Sequence, residues 1–139
     1  MRNIVITLLM TLMPMLASAQ NWIEILKNDS QTWYVYGNIQ DEYDNHLIWV
    51  KTTYDTPEAR KQAMNDHSTK YHVFEDRDLL CFNSEWTKYY VKSASSYSKS
   101  GKVLGSSDAD YEGWRYITPD TRAEIVSNAA KYIYENQKP

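Results

Sequence analysis

The sequence predicts an α+β domain: a single antiparallel sheet of about six strands with a C-terminal helix packed on one face. Most of the chain after residue 19 consists of short runs rich in β-branched and aromatic residues, separated by polar turns. One strong helical pattern follows the last of these runs. Strands that precede a single helix favour antiparallel pairing, and the helix can cover one face of the sheet.

The first 19 residues have the three-part layout of a secretory signal peptide. Arg2 gives a positive start, residues 4–16 are mostly apolar, and residues 17–19 (Ala-Ser-Ala) form a small-x-small cleavage site. Cleavage there predicts residues 20–139 as a single mature domain, long enough for one hydrophobic core. The residue directly after the site is Gln20 and not a cysteine, so a lipid anchor is not expected. We therefore expect an exported protein in the periplasm, at the cell surface or secreted.

The first half of the mature chain predicts three strands. Residues 22–26 and 32–36 are joined by the polar turn 28–30 and form a hairpin. Residues 46–54 are mostly β-branched or aromatic, which predicts the strongest strand of the chain. Apolar groups on both of its faces indicate a central position in the sheet.

The middle of the chain predicts a short helical segment and more strands. Thr56 is a suitable N-cap and Pro57 fits the first helical position, so one or two helical turns are expected there. Residues 71–76 are predicted as a strand that turns at 76–78 and pairs back through 79–83.

The last third predicts two strands and the principal helix. The strands cover residues 85–93 and 102–106, separated by a serine-rich turn. Thr118 is then predicted to cap the helix, with Pro119 at its first position. An apolar stripe at helical spacing follows, formed by Ile125, Val126, Ala129, Ala130 and Ile133.

Charge and cysteine content exclude several classes of protein. The mature chain has 18 acidic residues and, without Arg2, 14 of the 15 Lys and Arg residues, a net charge of −4. This balance argues against a nucleic-acid partner and against electrostatic docking to anionic lipid. No apolar run after residue 19 is long enough to be a transmembrane segment. Cys81 is the only cysteine, so we expect a buried core position rather than an intermolecular bridge or a reactive thiol.

No motif predicts a metal, a cofactor or catalysis. The spacing of His46, His67 and His72 does not match a metal site. The acidic loop 108–113 copies part of a calcium-loop pattern but has Pro119 where the bidentate Glu should stand, so cation binding there is left open. The acidic groups at 41–44 and 75–78 are expected in solvated turns, and no nucleophile motif accompanies them. We therefore expect a protein that is not an enzyme.

The mature chain is unusually rich in aromatic residues, with 12 Tyr, 5 Trp and 2 Phe. This content predicts a sheet with at least one semi-exposed aromatic face. Alternation along the late strand predicts a candidate binding surface on one side, with ordinary cross-strand packing as the alternative. The candidate residues are Trp86, Lys88, Tyr90 and Lys92.

The chain resembles the surface-adhesin protein E-like domain family of exported bacterial proteins over nearly all of residues 21–135. The most specific features are the strand at 48–54 (Ile-Trp-Val-Lys-Thr-Thr-Tyr) and the entry to the final helix at 114–119 (Trp-Arg-Tyr-Ile-Thr-Pro). Further matches are the Trp-Ile-Glu-Ile start at 22–25, Trp-Tyr-Val-Tyr at 33–36, Cys81, Tyr-Tyr-Val at 89–91 and Gly-Lys-Val-Leu at 101–104. A second cysteine associated with the family is absent here, so no internal disulfide is expected.

The resemblance implies an antiparallel sheet with a C-terminal helix and a non-enzymatic binding role at the bacterial surface. The expected function is that of an exported, adhesin-like binding domain that recognises a host matrix or envelope protein. One alternative is a structural or assembly component of the envelope that pairs through its sheet edge, and another is a small hydrolase. The sequence does not specify the partner, the oligomeric state or the extracytoplasmic compartment.

Overall fold

The computed structural model describes residues 21–108 and 113–137. The predicted signal peptide and most of the acidic loop 108–113 lie outside the described residues. The elements, in chain order, are β1 (Trp22–Lys27), β2 (Gln31–Tyr36), β3 (Gln40–Glu42), β4 (Asn45–Tyr54), α1 (Pro57–Asp66), β5 (Glu75–Phe82), β6 (Lys88–Tyr97), β7 (Val103–Ser107), β8 (Arg115–Tyr116) and α2 (Arg122–Gln137). Neither of these helices is long and apolar enough to cross a membrane.

The strands form one antiparallel sheet in the order β1-β2-β4-β5-β6-β7. The short strand β3 pairs with β4 beyond the end of β2, and β8 pairs with β6 beyond the end of β7. β4 and β5 are paired with neighbours on both sides, as predicted for the strand at 46–54. The predicted fold class, an antiparallel sheet with a C-terminal helix, is confirmed.

The hydrophobic core lies between α2 and one face of the sheet, which we call the helix face. β4 alternates strictly over its central part, so that Ile48 and Val50 are fully buried while Trp49 between them is exposed. Val126, Ala129, Ala130 and Ile133 of α2 pack on this face. The predicted apolar stripe is thus confirmed as the cover of the sheet. A bulge between Glu24 and Leu26 allows both Ile25 and Leu26 to be buried.

The two helices begin differently from one another. Thr56 accepts a hydrogen bond from the Ala59 backbone N–H at 3.1 Å, which confirms it as the N-cap of α1. The prediction that Thr118 caps α2 is wrong. Instead the Thr121 hydroxyl accepts from the Glu124 N–H at 3.3 Å, and the Glu124 carboxylate accepts from the Asp120 N–H at 3.0 Å. This reciprocal pair satisfies two backbone donors and starts the helix at Arg122.

The predicted turn at 76–78 is wrong, because β5 runs through it as a continuous strand. It pairs with both β4 and β6 along its length. Asp76 and Asp78 stay in the strand because side chains on the helix face pair with them, whereas Arg77 points to the opposite face. The predicted strand at 71–76 begins only at Glu75.

The late strand is shifted towards the C-terminus relative to the prediction. β6 begins at Lys88 and continues to Tyr97, into the predicted serine-rich turn. The Asn83 side chain fixes this start, since its carbonyl accepts from the backbone N–H groups of Thr87 and Lys88 at 2.8 and 2.9 Å. Trp86 lies in the resulting turn with a φ of 60° and is not part of the strand.

The capping geometry of α2 predicts a difference between two nearby threonines. Thr121→Ala should lower the free energy of unfolding by about 1 kcal/mol, because it removes the N-cap acceptor. Thr118→Ala, which removes an exposed hydroxyl that caps nothing, is the matched control and should change stability by less than half as much. Urea unfolding of both variants measures the difference, and an equal loss in the two would contradict the assignment of Thr121.

Candidate functional site

The face of the sheet opposite α2, which we call the open face, carries aromatic and cationic side chains in register across four strands. Cross-strand partners are Trp22 with Tyr36, Tyr34 with Lys51, and Lys51 with Arg77. These side chains share one face because residues paired across a sheet point to the same side. None of them belongs to the core cluster against α2. The semi-exposed aromatic face expected from the composition is therefore present.

A concave region crosses the open face, and we call it the aromatic trough. It encloses about 510 Å³ and is lined by Trp22, Tyr36, Trp49, Arg77 and Tyr97. Trp49 on β4 is 40% exposed, and the other rings are half-buried. Trp22 packs edge-on against Tyr36, with ring centroids 5.2 Å apart. Five strands therefore form the trough. Four of them, β1, β2, β4 and β6, each contribute an aromatic ring, and β5 contributes Arg77.

Aromatic rings contact both Arg77, the cation that lines the trough, and Lys51, a second cation on the open face. The Lys51 ammonium lies 4.7 Å from the Trp22 ring centroid and 4.6 Å from that of Tyr34. The Arg77 guanidinium lies 5.6 Å from Trp22 and 5.4 Å from Tyr97, and it also pairs with Glu75. Burial beside these groups lowers the pKa of Lys51. A ring face attracts a cation without accepting a conventional hydrogen bond from it. These cations therefore keep N–H donors that can bind a ligand.

The four residues predicted as a binding surface do not lie together. Trp86 stacks on His46 with centroids 4.5 Å apart and packs against the core on the helix face. Lys88 and Tyr90 point to the open face, but at the end of the sheet near β8. There the Lys88 ammonium lies 4.9 Å from the Tyr116 ring, and Tyr90 packs edge-on against Trp114.

Lys92, the fourth predicted residue, is engaged in an ion pair. Its ammonium lies 2.5 Å from a Glu42 carboxylate oxygen. Both charges act on the nearby Cys81, which is buried and free, as predicted. Burial raises the pKa of the Cys81 thiol, which favours its unreactive form.

Sequence reasoning missed a second polar site, an acidic cleft on the helix face. It encloses about 500 Å³ between the end of α1, strands β5 to β7 and the start of α2. Asp76 lies at its base and accepts three hydrogen bonds. The donors are Ser96 Oγ at 2.7 Å, Tyr54 Oη at 2.6 Å and His67 Nε2 at 2.7 Å. Asp78 lies two residues further along the same face, with the nearest Arg122 nitrogen 3.8 Å away.

The two carboxylates of this acidic cleft have opposite electrostatic environments. Burial favours the neutral form of Asp76, but the hydrogen bonds from His67, Tyr54 and Ser96 outweigh it and lower its pKa. The hydrogen bond to Asp76 raises the pKa of His67. Asp78 lacks such donors, so burial raises its pKa to about 6 despite the nearby Arg122 guanidinium. The contact between Asp76 and His67 thus favours the charged form of both, whereas burial favours the neutral form of Asp78.

The arrangement in the acidic cleft differs from that of nucleophilic hydrolases. In such enzymes an imidazole stands between the hydroxyl and the carboxylate, so that it can take the hydroxyl proton. Here the Asp76 carboxylate stands between the Ser96 hydroxyl and the His67 imidazole. Ser96 therefore donates to a carboxylate of lowered pKa, which is a weak base. In residues 21–108 and 113–137 no group of three or more His, Cys, Asp and Glu side chains is arranged to hold a metal ion.

Comparison with known proteins adds no relatives to this description. No protein-family model, curated protein or solved structure matches the chain. The resemblance to the surface-adhesin protein E-like family therefore stays a prediction from the sequence.

Titration of the acidic cleft predicts a pH-dependent stability. The raised pKa of Asp78 means that the folded state binds its proton more tightly than the unfolded chain. This contribution is complete below the unfolded pKa of about 4 and is lost as the pH rises through about 6. His67, whose pKa is also raised, acts in the same direction at higher pH. Asp78→Asn should therefore reduce the stability lost between pH 5 and pH 8 by about 1 kcal/mol.

Urea unfolding at pH 5 and pH 8 measures this change. Asp44→Asn is the matched control, because Asp44 is exposed in the β3–β4 turn, and it should leave the pH dependence as in the wild type. An Asp78→Asn variant with the full wild-type loss between the two pH values would contradict the assignment of the titration to Asp78.

Proposed function

We propose that this protein is an exported, adhesin-like binding domain that recognises a protein partner through the open face of its sheet and performs no catalysis. The observation that carries the proposal is the aromatic trough. In it, Trp49 is exposed at the centre of a five-strand surface, with Lys51 and Arg77 held beside it by ring contacts.

The residue types of the trough suit recognition of a protein. Trp, Tyr and Arg are the side chains that most often dominate the binding energy of protein interfaces. Their rings give a large contact area at a small entropic cost, and Arg can bind a carboxylate with two parallel hydrogen bonds. The expected partner surface therefore presents acidic and aromatic or aliphatic side chains. The predicted signal peptide would place the domain outside the cytoplasm, where a host matrix or envelope protein is available.

The alternatives have less support. Assembly through a sheet edge needs a long regular edge strand, but β1 contains a bulge and β7 has only five residues, including Gly105. Such irregular edges disfavour pairing with another strand. A hydrolytic activity would need an effective base beside Ser96, but that position is taken by the Asp76 carboxylate, whose lowered pKa makes it a weak base. Binding through the trough requires no change in the edge strands and no change in the hydrogen bond between Ser96 and Asp76.

Removing the exposed Trp49 indole of the trough should weaken recognition. A photo-crosslinking phenylalanine analogue in place of Tyr36, which lines the trough and leaves Trp49 intact, is used to capture partners of the mature domain from host matrix extract and from the native envelope. Untagged wild-type protein should compete for the captured species. The Trp49→Thr variant keeps a residue of high strand propensity. About ten times more of this variant than of the wild type should be needed to displace the captured species by the same amount, as for loss of a central interface residue.

The matched control removes another exposed aromatic side chain, one that does not line the trough. Tyr43 is 94% exposed in the β3–β4 turn, and its positive φ of 59° is compatible with asparagine. Tyr43→Asn should compete like the wild type, and the crosslinker at position 43 should not capture the same species. Equal competition by Trp49→Thr and the wild type would refute the proposed surface.

A further inference from the structure

A third concave region shares no lining residue with the aromatic trough or the acidic cleft, and we call it the basic groove. It is formed by the segment that follows α1 and by the hairpin between β6 and β7, and it encloses about 980 Å³. Its lining includes the apolar side chains of Met64, Phe74 and Leu104 and the cationic ones of Lys70, Lys99 and Lys102.

The walls of the basic groove are held together by backbone hydrogen bonds. The Phe74 N–H donates to the Tyr97 carbonyl at 2.9 Å and joins the two walls. The Val73 N–H donates to the Arg60 carbonyl at 3.3 Å, and the Arg60 guanidinium lies 4.3 Å from the Phe74 ring. On the other wall the Ser98 N–H donates to the Lys102 carbonyl at 2.9 Å. These contacts fix the two walls of the groove relative to each other, as is usual for small-molecule sites, which are largely preformed.

The interior of the basic groove is apolar. The side chains of Met64, Phe74 and Leu104 are only partly buried, and Tyr71 is 54% exposed. A ligand in the groove would therefore cover apolar surface that is now in contact with water. Apolar side chains around a concave space of several hundred Å³ are typical of sites for small organic ligands. An apolar ligand would gain free energy here by removing these side chains from water.

The rim of the basic groove is cationic, in contrast to the net charge of −3 of the whole chain. Lys70, Lys99 and Lys102 lie on it, and its lining contains no Asp or Glu. Among the described residues, none of these three ammonium groups pairs with a carboxylate. The lysine that forms an ion pair there is Lys92, with Glu42. The rim thus has unpaired positive charge beside an apolar interior.

We propose that the basic groove binds a monomeric amphiphilic anion, with an apolar chain or ring system in the groove and a carboxylate or phosphate head between Lys99 and Lys102. Both halves of the site are required by this ligand. The apolar interior gives most of the affinity, and the lysines select the sign of the head group. The site is separate from the proposed protein-binding surface, so either can exist without the other.

Equilibrium dialysis of the mature protein against defined amphiphiles tests the proposal. The probes are dodecyl phosphate and laurate below their critical micelle concentrations, with dodecyltrimethylammonium and inorganic phosphate as comparisons. The two anionic amphiphiles should bind with one site per chain, and each comparison compound should bind at least tenfold more weakly. Tight binding of the cationic amphiphile would refute the role of the rim, and tight binding of inorganic phosphate alone would refute that of the interior.

Variants locate the site. Lys99→Gln combined with Lys102→Gln should weaken binding of dodecyl phosphate about tenfold, because two charge contacts to the head are lost. The double variant Lys27→Gln and Lys131→Gln changes two exposed lysines elsewhere and is the matched control. Equal affinity in both double variants would overturn the site. The protein should not sediment with phosphatidylglycerol vesicles. If it bound these vesicles as tightly as dodecyl phosphate, the proposed monomeric ligand would be refuted in favour of a membrane surface.

Discussion

The structure depends on one constraint: the principal helix covers one face of a sheet whose side chains alternate between two faces. α2 has 16 residues and a length of about 24 Å. It packs its Val126, Ala129, Ala130 and Ile133 stripe on the helix face. Every second residue of β4 therefore enters the core, and the residues between them remain on the open face. The buried Ile48 and Val50 and the exposed Trp49 are direct results of this alternation.

The same constraint explains why the aromatic residues have two different roles. Trp33, Trp86 and Tyr89 pack against the core, whereas Trp22, Trp49 and Tyr97 line the aromatic trough. Rings on an open face would normally favour aggregation, but here Lys51 and Arg77 lie over them and keep charge at the surface. A sheet face built in this way stays hydrated in the free protein and still offers large flat surfaces to a partner.

Local patterns explain which parts of the structure could be predicted from the sequence. The central strand, the Thr56 cap and the stripe of α2 follow from periodicity and from capping residues, which act over a few positions. The acidic cleft could not be predicted in this way, because the partners of Asp76 come from three other parts of the chain. Tyr54, His67 and Ser96 are 22, 9 and 20 residues away. Considered without those partners, the three charged residues at 76–78 are typical of a solvated turn.

The candidate site shows the same limit of local reasoning. Alternation along the late strand correctly put Lys88 and Tyr90 on one face, but the turn fixed by Asn83 turns Trp86 to the other face. The aromatic trough itself combines residues from five strands, and only the strand order brings them together. The aromatic content had predicted that such a face exists, without indicating which residues form it.

The accessibility of the open face is the central claim, and hydroxyl-radical footprinting of the free mature protein tests it most directly. Trp49 and Trp114, which are 40% and 45% exposed, should be oxidised several times faster than Trp33 and Trp86, which pack against the core. The ratio should not change with protein concentration. Oxidation of Trp49 as slow as that of Trp86 would contradict the account, because it would mean that the trough is already covered.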